Sequence, residues 1–184
     1  MTRIVAGAAG GRRLAVPPRG TRPTSDRVRE AVFSALQARL DLQGTRVLDL
    51  YAGSGALGLE ALSRGAAHVR FVESDRRAAA VLRRNVDALG LPGAEVSTAT
   101  VAAVLHGEPG PPYDVVLADP PYALDGTALD GVLDGLARGG WLGPGALVVV
   151  ERSARAMPPT WPDGVVAITE KRYGDTTVYY GSAP

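Results

Sequence analysis

Residues 49–62 read DLYAGSGALGLEAL and decide the fold. Within this stretch Gly53, Gly55 and Gly58 form a G-x-G-x-x-G pattern between an apolar predicted strand and a predicted helix. Glycines in such a turn let the backbone approach a nucleotide closely, and an acid at the end of the next strand takes the ribose hydroxyls. Glu73 stands at that strand end, twenty residues after Gly53. The pattern therefore predicts a nucleotide site in an α/β fold.

Predicted strands and helices alternate on both sides of this turn. Strands are expected over residues 46–50, 68–74, 94–100, 113–118 and 146–150, and helices over residues 56–64, 76–89 and 128–138. Such alternation is typical of βαβ units in a parallel, doubly wound sheet. Residues 165–172 and 176–181 are separated only by a short turn, which predicts a closing antiparallel hairpin.

The first 40 residues differ from the rest in charge. They carry eight arginines against two acids, a balance of +6, so the remaining residues sum to −5. An arginine-rich segment on an acidic body indicates a polyanion partner, although a solvated surface in an arginine-biased chain explains it equally well. The segment predicts a short hairpin, a proline-punctuated connector and a helix that begins at Thr24 or Ser25. Arg22, Arg27 and Arg29 lie near that helix start and are expected to be available to a partner.

Composition excludes several classes of protein. The chain has 184 residues, no cysteine and two histidines, which argues against disulfides and against a thiolate or histidine metal site. No apolar run approaches the ~20 residues needed to span a bilayer, and no export signal opens the chain. We expect one domain over residues 1–184, monomeric and cytoplasmic, with no membrane and no metal.

Two cofactors fit the glycine turn, NAD(P) and S-adenosylmethionine. Asp49 stands four residues before Gly53, where a carboxylate faces the cationic amino-acid end of S-adenosylmethionine but repels a pyrophosphate. The chain also lacks the second domain that dehydrogenases commonly use for their substrate. These features favour S-adenosylmethionine. Asp75 is an alternative to Glu73 for the ribose, and Tyr51 is expected either to line the same pocket or to pack in the core.

A second motif, LADPPY at residues 117–122, ends the fourth predicted strand. Two adjacent prolines cannot continue a central strand, because they lack an N–H and have a fixed φ. They place Asp119 and Tyr122 on a rigid kink beside the glycine turn. A carboxylate and the Pro120 carbonyl there can accept hydrogen bonds from an amine, while Tyr122 offers a ring face to a base.

Together these motifs resemble class I S-adenosylmethionine-dependent methyltransferases that act on exocyclic amines. RIVAGAAGGRRL (residues 3–14) and RPTSDRVREAVF (residues 22–33) further resemble the bacterial 16S rRNA guanine-N2 methyltransferase family, the RsmD type. The resemblance covers nearly the whole chain. It implies a Rossmann-like, seven-stranded, mostly parallel sheet of order 3-2-1-4-5-7-6 with the last strand antiparallel. The basic N-terminal extension (residues 1–40) would bind RNA, and residues 44–184 would form the catalytic core.

The resemblance also implies a role for particular residues. The residues expected to contact the target base and carry the chemistry are Asp119, Pro120, Pro121 and Tyr122. The residues expected to bind the cofactor are Asp49, Tyr51, Gly53, Ser54, Gly55 and Glu73, with Thr100 and Val101 standing where relatives commonly have Asn or Asp followed by Ala. The residues expected to bind RNA are Arg3, Arg12, Arg13, Arg22, Thr24, Arg27 and Arg29.

The leading interpretation is methylation of a guanine N2 amine in small-subunit 16S rRNA. Its nearest rivals use the same motif on DNA adenine N6 or on a protein glutamine; the +6 extension disfavours the latter. An NAD(P)-dependent oxidoreductase and a non-catalytic RNA-binding protein are more distant alternatives. The DPPY motif selects an amine target but does not choose between guanine, adenine and glutamine.

Overall fold

The computed structural model describes residues 2–18 and 24–184. The helices are α1 (Asp26–Gln37), α2 (Ala56–Ser63), α3 (Arg76–Leu89), α4 (Val101–Leu105) and α5 (Gly126–Arg138). The strands are β1 (Thr2–Arg3), β2 (Arg13–Leu14), β3 (Arg46–Leu50), β4 (His68–Glu73), β5 (Ala94–Thr98), β6 (Tyr113–Ala118), β7 (Leu142–Ser153), β8 (Val166–Tyr173) and β9 (Thr176–Ser182). Within these two ranges no helix is long and apolar enough to cross a membrane.

Seven strands form the central sheet, in the order β5-β4-β3-β6-β7-β9-β8. Neighbouring strands from β5 to β7 are parallel, whereas β9 runs antiparallel to both β7 and β8. Counted from β3, this is the order 3-2-1-4-5-7-6 expected from the sequence. The predicted fold class is confirmed, and so is the short N-terminal hairpin, in which β1 pairs antiparallel with β2.

The strands carry apolar side chains on both faces, so the sheet is covered on both sides. Val47, Phe71 and Leu117 pack on the face covered by the hairpin and α1 to α3. Leu48 and Val116 point to the other face, which α4 and α5 cover. A parallel sheet buried on both faces has near-continuous apolar strands, which is why the runs in the sequence predicted it.

Side-chain caps set where several helices begin. The Ser25 hydroxyl accepts a hydrogen bond from the Val28 N–H at 3.2 Å and starts α1. The Asp75 carboxylate accepts from the backbone N–H groups at residues 77 and 78, at 2.8 and 3.0 Å, and starts α3. Asp75 is therefore the N-cap of α3, whereas Glu73 is the last residue of β4.

The third predicted strand was too long. It ends at Thr98, because the Thr100 hydroxyl accepts a hydrogen bond from the Ala103 N–H at 3.1 Å and caps the short helix α4. Val101 is buried in the first turn of that helix. A five-residue helix has too little periodicity to be recognised in the sequence. The fifth strand is longer than predicted, at Leu142–Ser153.

The N-terminal extension packs against the core through buried polar side chains. The Glu60 carboxylate accepts a hydrogen bond from the Val5 N–H at 2.8 Å, and the Ser63 hydroxyl accepts from the Ala9 N–H at 2.9 Å. The Asn85 amide both donates to and accepts from the Ala15 backbone, each at 2.9 Å. The extension is thus attached to α2 and α3, beside the glycine turn.

Arg29 corrects an expectation from the sequence. Its side chain is fully buried rather than available to a partner. It donates hydrogen bonds to the Asp26 carboxylate at 2.8 Å and to the carbonyls of Thr24 and Arg3, and it lies 3.8 Å from the Glu60 carboxylate. Its charge is balanced inside the protein, and Arg29 ties the first turn of α1 to the hairpin.

Candidate active site

A cavity of about 970 Å³ opens at the carboxyl ends of β3, β4, β6 and β7. The strand order reverses between β3 and β6, and ligands of doubly wound sheets bind at such a switch point. The residues that line it include Asp49, Tyr51, Gly53, Glu73, Asp119 and Glu151. The two sequence motifs therefore meet at one site, as the strand order requires.

The three glycines of the turn differ in what surrounds them. Gly53 has a φ of 56° and its N–H donates to the Glu73 carboxylate at 2.9 Å, and a Cβ placed there would meet nothing within 4 Å. A Cβ on Gly55 would lie 2.2 Å from the Leu82 side chain, and one on Gly58 would lie 2.3 Å from the Phe71 ring. The first glycine faces open space on the ligand side, whereas the other two allow α2 to pack closely.

Tyr51 is the one non-glycine residue with positive φ in the described ranges, at 59°. This left-handed conformation is strained for a side chain with a Cβ and is retained mostly at functional sites. Tyr51 is half-buried and lines the cavity, and burial raises the pKa of its hydroxyl. The structure thus places Tyr51 both at the cavity wall and against the core cluster of the α4 and α5 face.

Asp49 lies at the floor of the cavity, where water hardly reaches it. The carboxylate accepts a hydrogen bond from the Gly58 N–H at 3.0 Å. Burial raises the pKa of Asp49 to about 8, the charges of Asp119 and Glu73 add to the increase, and the Gly58 bond opposes it. A buried acid with this pKa favours a cationic ligand, because a nearby positive charge makes its ionised form stable again.

The DPPY loop leaves the sheet directly after β6. Pro120 is buried and Pro121 is exposed, while the Tyr122 side chain is exposed over 67% of its surface. The loop is closed by a hydrogen bond from the Leu124 N–H to the Pro121 carbonyl at 3.0 Å. An aromatic ring held this far into solvent at the rim of a cavity is open for stacking.

Sequence reasoning missed Glu151 and Arg152, which line the same cavity from the end of β7. The sequence feature that could have revealed Glu151 is an acid directly after the apolar run over residues 146–150, on the strand that lies beside β6. The Thr24 hydroxyl lies 3.0 Å from a carboxylate oxygen of Asp119 and 3.0 Å from one of Glu151. Thr24, expected to contact RNA, therefore has its hydroxyl engaged with two active-site carboxyl groups.

Arg152 is almost completely buried and donates a hydrogen bond to the Leu124 carbonyl at 3.1 Å. It supports the DPPY loop from behind. Ser54 and Glu73 line the cavity as expected. Thr100 and Val101 are not among the cavity-lining residues, since the first caps α4 and the second is buried.

The other arginines predicted to bind RNA lie on the surface wherever the structure describes them. Arg3, Arg12, Arg13 and Arg27 are exposed, and Arg3 pairs with Asp26 at 3.1 Å. Arg22 lies outside the described residues. The Arg12 guanidinium donates to the carbonyl of residue 88 at the end of α3. That helix adds further exposed arginines that the sequence reading did not single out: Arg76, Arg77, Arg83 and Arg84.

The strand order, the glycine turn with its strand-end acid, and the DPPY loop at one cavity define the class I S-adenosylmethionine-dependent methyltransferases. A family model described as "Conserved hypothetical protein 95" matches residues 2–182. The chain belongs to this family, the RsmD family.

Curated relatives and solved structures agree with this assignment. The chain is 39% identical over 161 residues to "Ribosomal RNA small subunit methyltransferase D" of Escherichia coli strain K12, covering 87% of this chain and 79% of that one. It is 34% identical over 176 residues to the protein of the same name from Haemophilus influenzae, covering 94% and 89%. The solved structure of yhhF from Escherichia coli superposes with a TM-score of 0.87 at 36% identity, covering 98% and 97%.

Proposed function

We propose that the protein is an S-adenosylmethionine-dependent methyltransferase that modifies the N2 amine of a guanine in small-subunit 16S rRNA. The observation that carries the proposal is the meeting of Asp119–Tyr122 with the glycine turn in one cavity. The names of the relatives support rRNA of the small subunit as substrate. The choice of guanine N2 rests on the resemblance of the N-terminal segment to the RsmD type.

The residues around the cavity fit the cofactor. Gly53 leaves room for a ligand against its backbone, and the Asp49 carboxylate suits the cationic amino-acid end. Glu73 already accepts hydrogen bonds from the Gly53 and Asp75 N–H groups, which hold its carboxylate where ribose hydroxyls would reach it. Bound S-adenosylmethionine supplies a methyl group on a sulfonium centre. Ser54 and Tyr51 would complete the binding surface, whereas Gly55, also expected to bind the cofactor, is not among the cavity-lining residues.

The DPPY loop prepares the amine for transfer. The lone pair of an aromatic amine is delocalised into the ring, so the nitrogen is a weak nucleophile. The Asp119 carboxylate and the Pro120 carbonyl would accept its two N–H groups and orient the lone pair toward the methyl group. The two prolines fix these acceptors, and Tyr122 would stack on the extruded base.

The exposed arginines would provide the affinity for RNA. Arg12, Arg13 and Arg27 make no salt bridge with the part of the chain that the structure describes, so their charge is available to phosphates. In this proposal residues 1–40 bind RNA as an extension of the core over residues 44–184, within one monomeric, cytoplasmic domain that needs no metal.

The substrate is tested with labelled S-adenosylmethionine and four acceptors in parallel: unmodified small subunits, naked rRNA, DNA and a protein extract. We expect label only in small-subunit RNA, recovered as N2-methylguanosine after digestion to nucleosides. Label in N6-methyladenosine or in glutamine would refute the guanine assignment while leaving amine methylation intact. No transfer to any acceptor would refute the methyltransferase proposal.

The role of Asp119 is tested by Asp119→Ala. Loss of one amine acceptor should reduce methyl transfer by about a hundredfold or more while cofactor binding, measured by calorimetry, stays within a few-fold. Asp134→Ala, on the surface of α5, is the control and should keep full activity. Normal turnover in the Asp119 variant would remove the carboxylate from the chemistry.

A further inference from the structure

The Thr24 hydroxyl is shared by two carboxyl groups that line the active-site cavity. It lies 3.0 Å from the Asp119 carboxylate and 3.0 Å from the Glu151 carboxylate. A hydroxyl has a single proton to donate, so it donates to one carboxylate and accepts from the other when that one is protonated. When one of the two carboxyl groups is protonated, hydrogen bonds join all three side chains. The protonated carboxyl group donates to the Thr24 oxygen, and the Thr24 hydroxyl donates to the other carboxylate.

The strand register explains this arrangement. Ala118 of β6 lies directly beside Val150 of β7, so Asp119, which follows β6, stands next to Glu151, which is still paired with Val178 of β9. Thr24, two residues before the start of α1, reaches between them. Glu151 is only partly exposed and faces the cavity, which gives the chain of hydrogen bonds an outlet to solvent.

We propose that Glu151 is the terminal proton acceptor of the methyl-transfer site, linked to Asp119 through the Thr24 hydroxyl. The inference rests on the proposed function, because it assigns a destination to the proton that the methylated amine must lose. Glu151 acts through the other two side chains, so it is a positioning residue rather than one that contacts the amine.

Each turnover releases one proton from the methylated nitrogen. The nitrogen–carbon bond forms as the sulfur–carbon bond breaks, and the nitrogen then carries one proton too many. That proton passes to the Asp119 carboxylate and on to the Thr24 oxygen, while the Thr24 hydroxyl gives its own proton to Glu151. Asp119 and Thr24 end unchanged, and Glu151 releases the proton to water in the cavity.

The surroundings of Asp119 and Glu151 favour a proton shared between the two carboxyl groups, because both are largely buried and close together. Burial raises the pKa of Asp119 to about 6, and burial together with the Asp119 charge raises that of Glu151 to about 8, while the Thr24 bond lowers both. The other titratable groups that face the pair are Asp49 from β3, Tyr51 and Arg152 on the cavity wall and Tyr180 from β9. Near neutral pH the pair then holds one proton. Above about pH 8 both carboxyl groups are ionised, so Glu151 can accept the proton that arrives through Asp119 and Thr24.

The first test is the pH dependence of methyl transfer in the full-length protein. The wild-type rate should rise in two steps, near pH 6 and near pH 8. Glu151→Gln imitates the protonated carboxyl group permanently, so it should keep the first step and lose the second, leaving it about tenfold slower than wild type above about pH 8. Thr24→Val should lose the second step as well, whereas Thr24→Ser should retain it. An unchanged two-step profile in Glu151→Gln would overturn the proposal.

The second test needs no methyl transfer and separates this inference from the proposed function. The side-chain carboxyl carbons of the free protein are followed by NMR as the pH is raised. The Asp119 signal should respond to two ionisations in wild type and in Thr24→Ser, and to one in Glu151→Gln. If the wild type methylates none of the acceptors, the proposed function fails whatever this titration gives. An Asp119 titration that is the same with and without Glu151 overturns the link itself.

Discussion

Gly58 shows why the glycine pattern predicts a fold as well as a site. Its N–H donates to Asp49, and a Cβ at this position would lie 2.3 Å from the Phe71 ring, 2.8 Å from Val69 and 2.9 Å from the Asp49 carboxylate. Only glycine lets α2 approach β3 and β4 this closely. The same residue therefore holds the sheet and helix together and fixes the acid at the floor of the cavity.

We predict that Gly58→Ala destabilises the protein by about 1–3 kcal/mol, because its methyl group overpacks a core with no room to give. The matched control is Gly131→Ala on the exposed face of α5, where a Cβ meets nothing within 4 Å. That change should stabilise by about 0.5–1 kcal/mol, since alanine favours a helix over glycine. Urea unfolding of both variants measures the difference. If Gly58→Ala were as stable as the wild-type protein, α2 would have to be able to move away from the sheet to make room for the methyl group.

At single positions, the sequence predicted those residues whose role follows from a strand end. Glu73 ends β4, Asp119 follows β6 and Asp49 lies one residue before the end of β3, and all three face the cavity. Arg29 was misjudged because its charge is neutralised by Asp26 and lies near Glu60, which is distant in sequence. The approach of Glu60, 31 residues away along the chain, leaves no local pattern.

Among the secondary-structure elements, Asn85 on α3 connects the N-terminal extension to the cofactor turn. Its amide donates to the carbonyls of Ala15 and Ser54 and accepts from the Ala15 N–H, each at 2.9 Å. One buried side chain thus couples the extension, α3 and the glycine turn. Glycine patterns and strand runs are visible in the sequence, but a bridge between residues 15, 54 and 85 depends on how the elements pack.

We predict that Asn85→Ala costs about 1–3 kcal/mol of stability, because it leaves the buried Ser54 carbonyl without its partner. Hydrogen exchange at the Ala15 amide should accelerate, and cofactor affinity should fall as the turn loosens. Arg12→Ala is the control: it removes an exposed contact between the extension and α3, and should leave the turn and the cofactor affinity unchanged. Unaltered exchange at Ala15 in the Asn85 variant would contradict the coupling.

Across the whole molecule, the basic residues that the sequence places in the N-terminal segment form a surface on one side of the sheet. The extension lies along α3, since Arg12 contacts the carbonyl of residue 88 and Ala15 contacts Asn85. The exposed arginines of the extension and of α3 therefore belong to the same side of the sheet, while α5 lies on the other. The sequence predicted a basic N-terminal segment, but its continuation onto α3 is a property of the fold.

The phosphate-binding role of this side is tested by neutralising Arg12, Arg13 and Arg27 to glutamine. Affinity for small-subunit RNA should fall, and the slope of log affinity against log salt should become shallower by about 0.7 for each phosphate contact removed, because fewer counterions are released. Arg138→Gln serves as the control, since this arginine lies on α5 and pairs with Asp134 at 2.7 Å. Filter binding over a range of salt concentrations gives both slopes. A slope that stays the same in the triple variant would show that these arginines are a solvated surface, and the RNA would then have to meet the cavity from another direction.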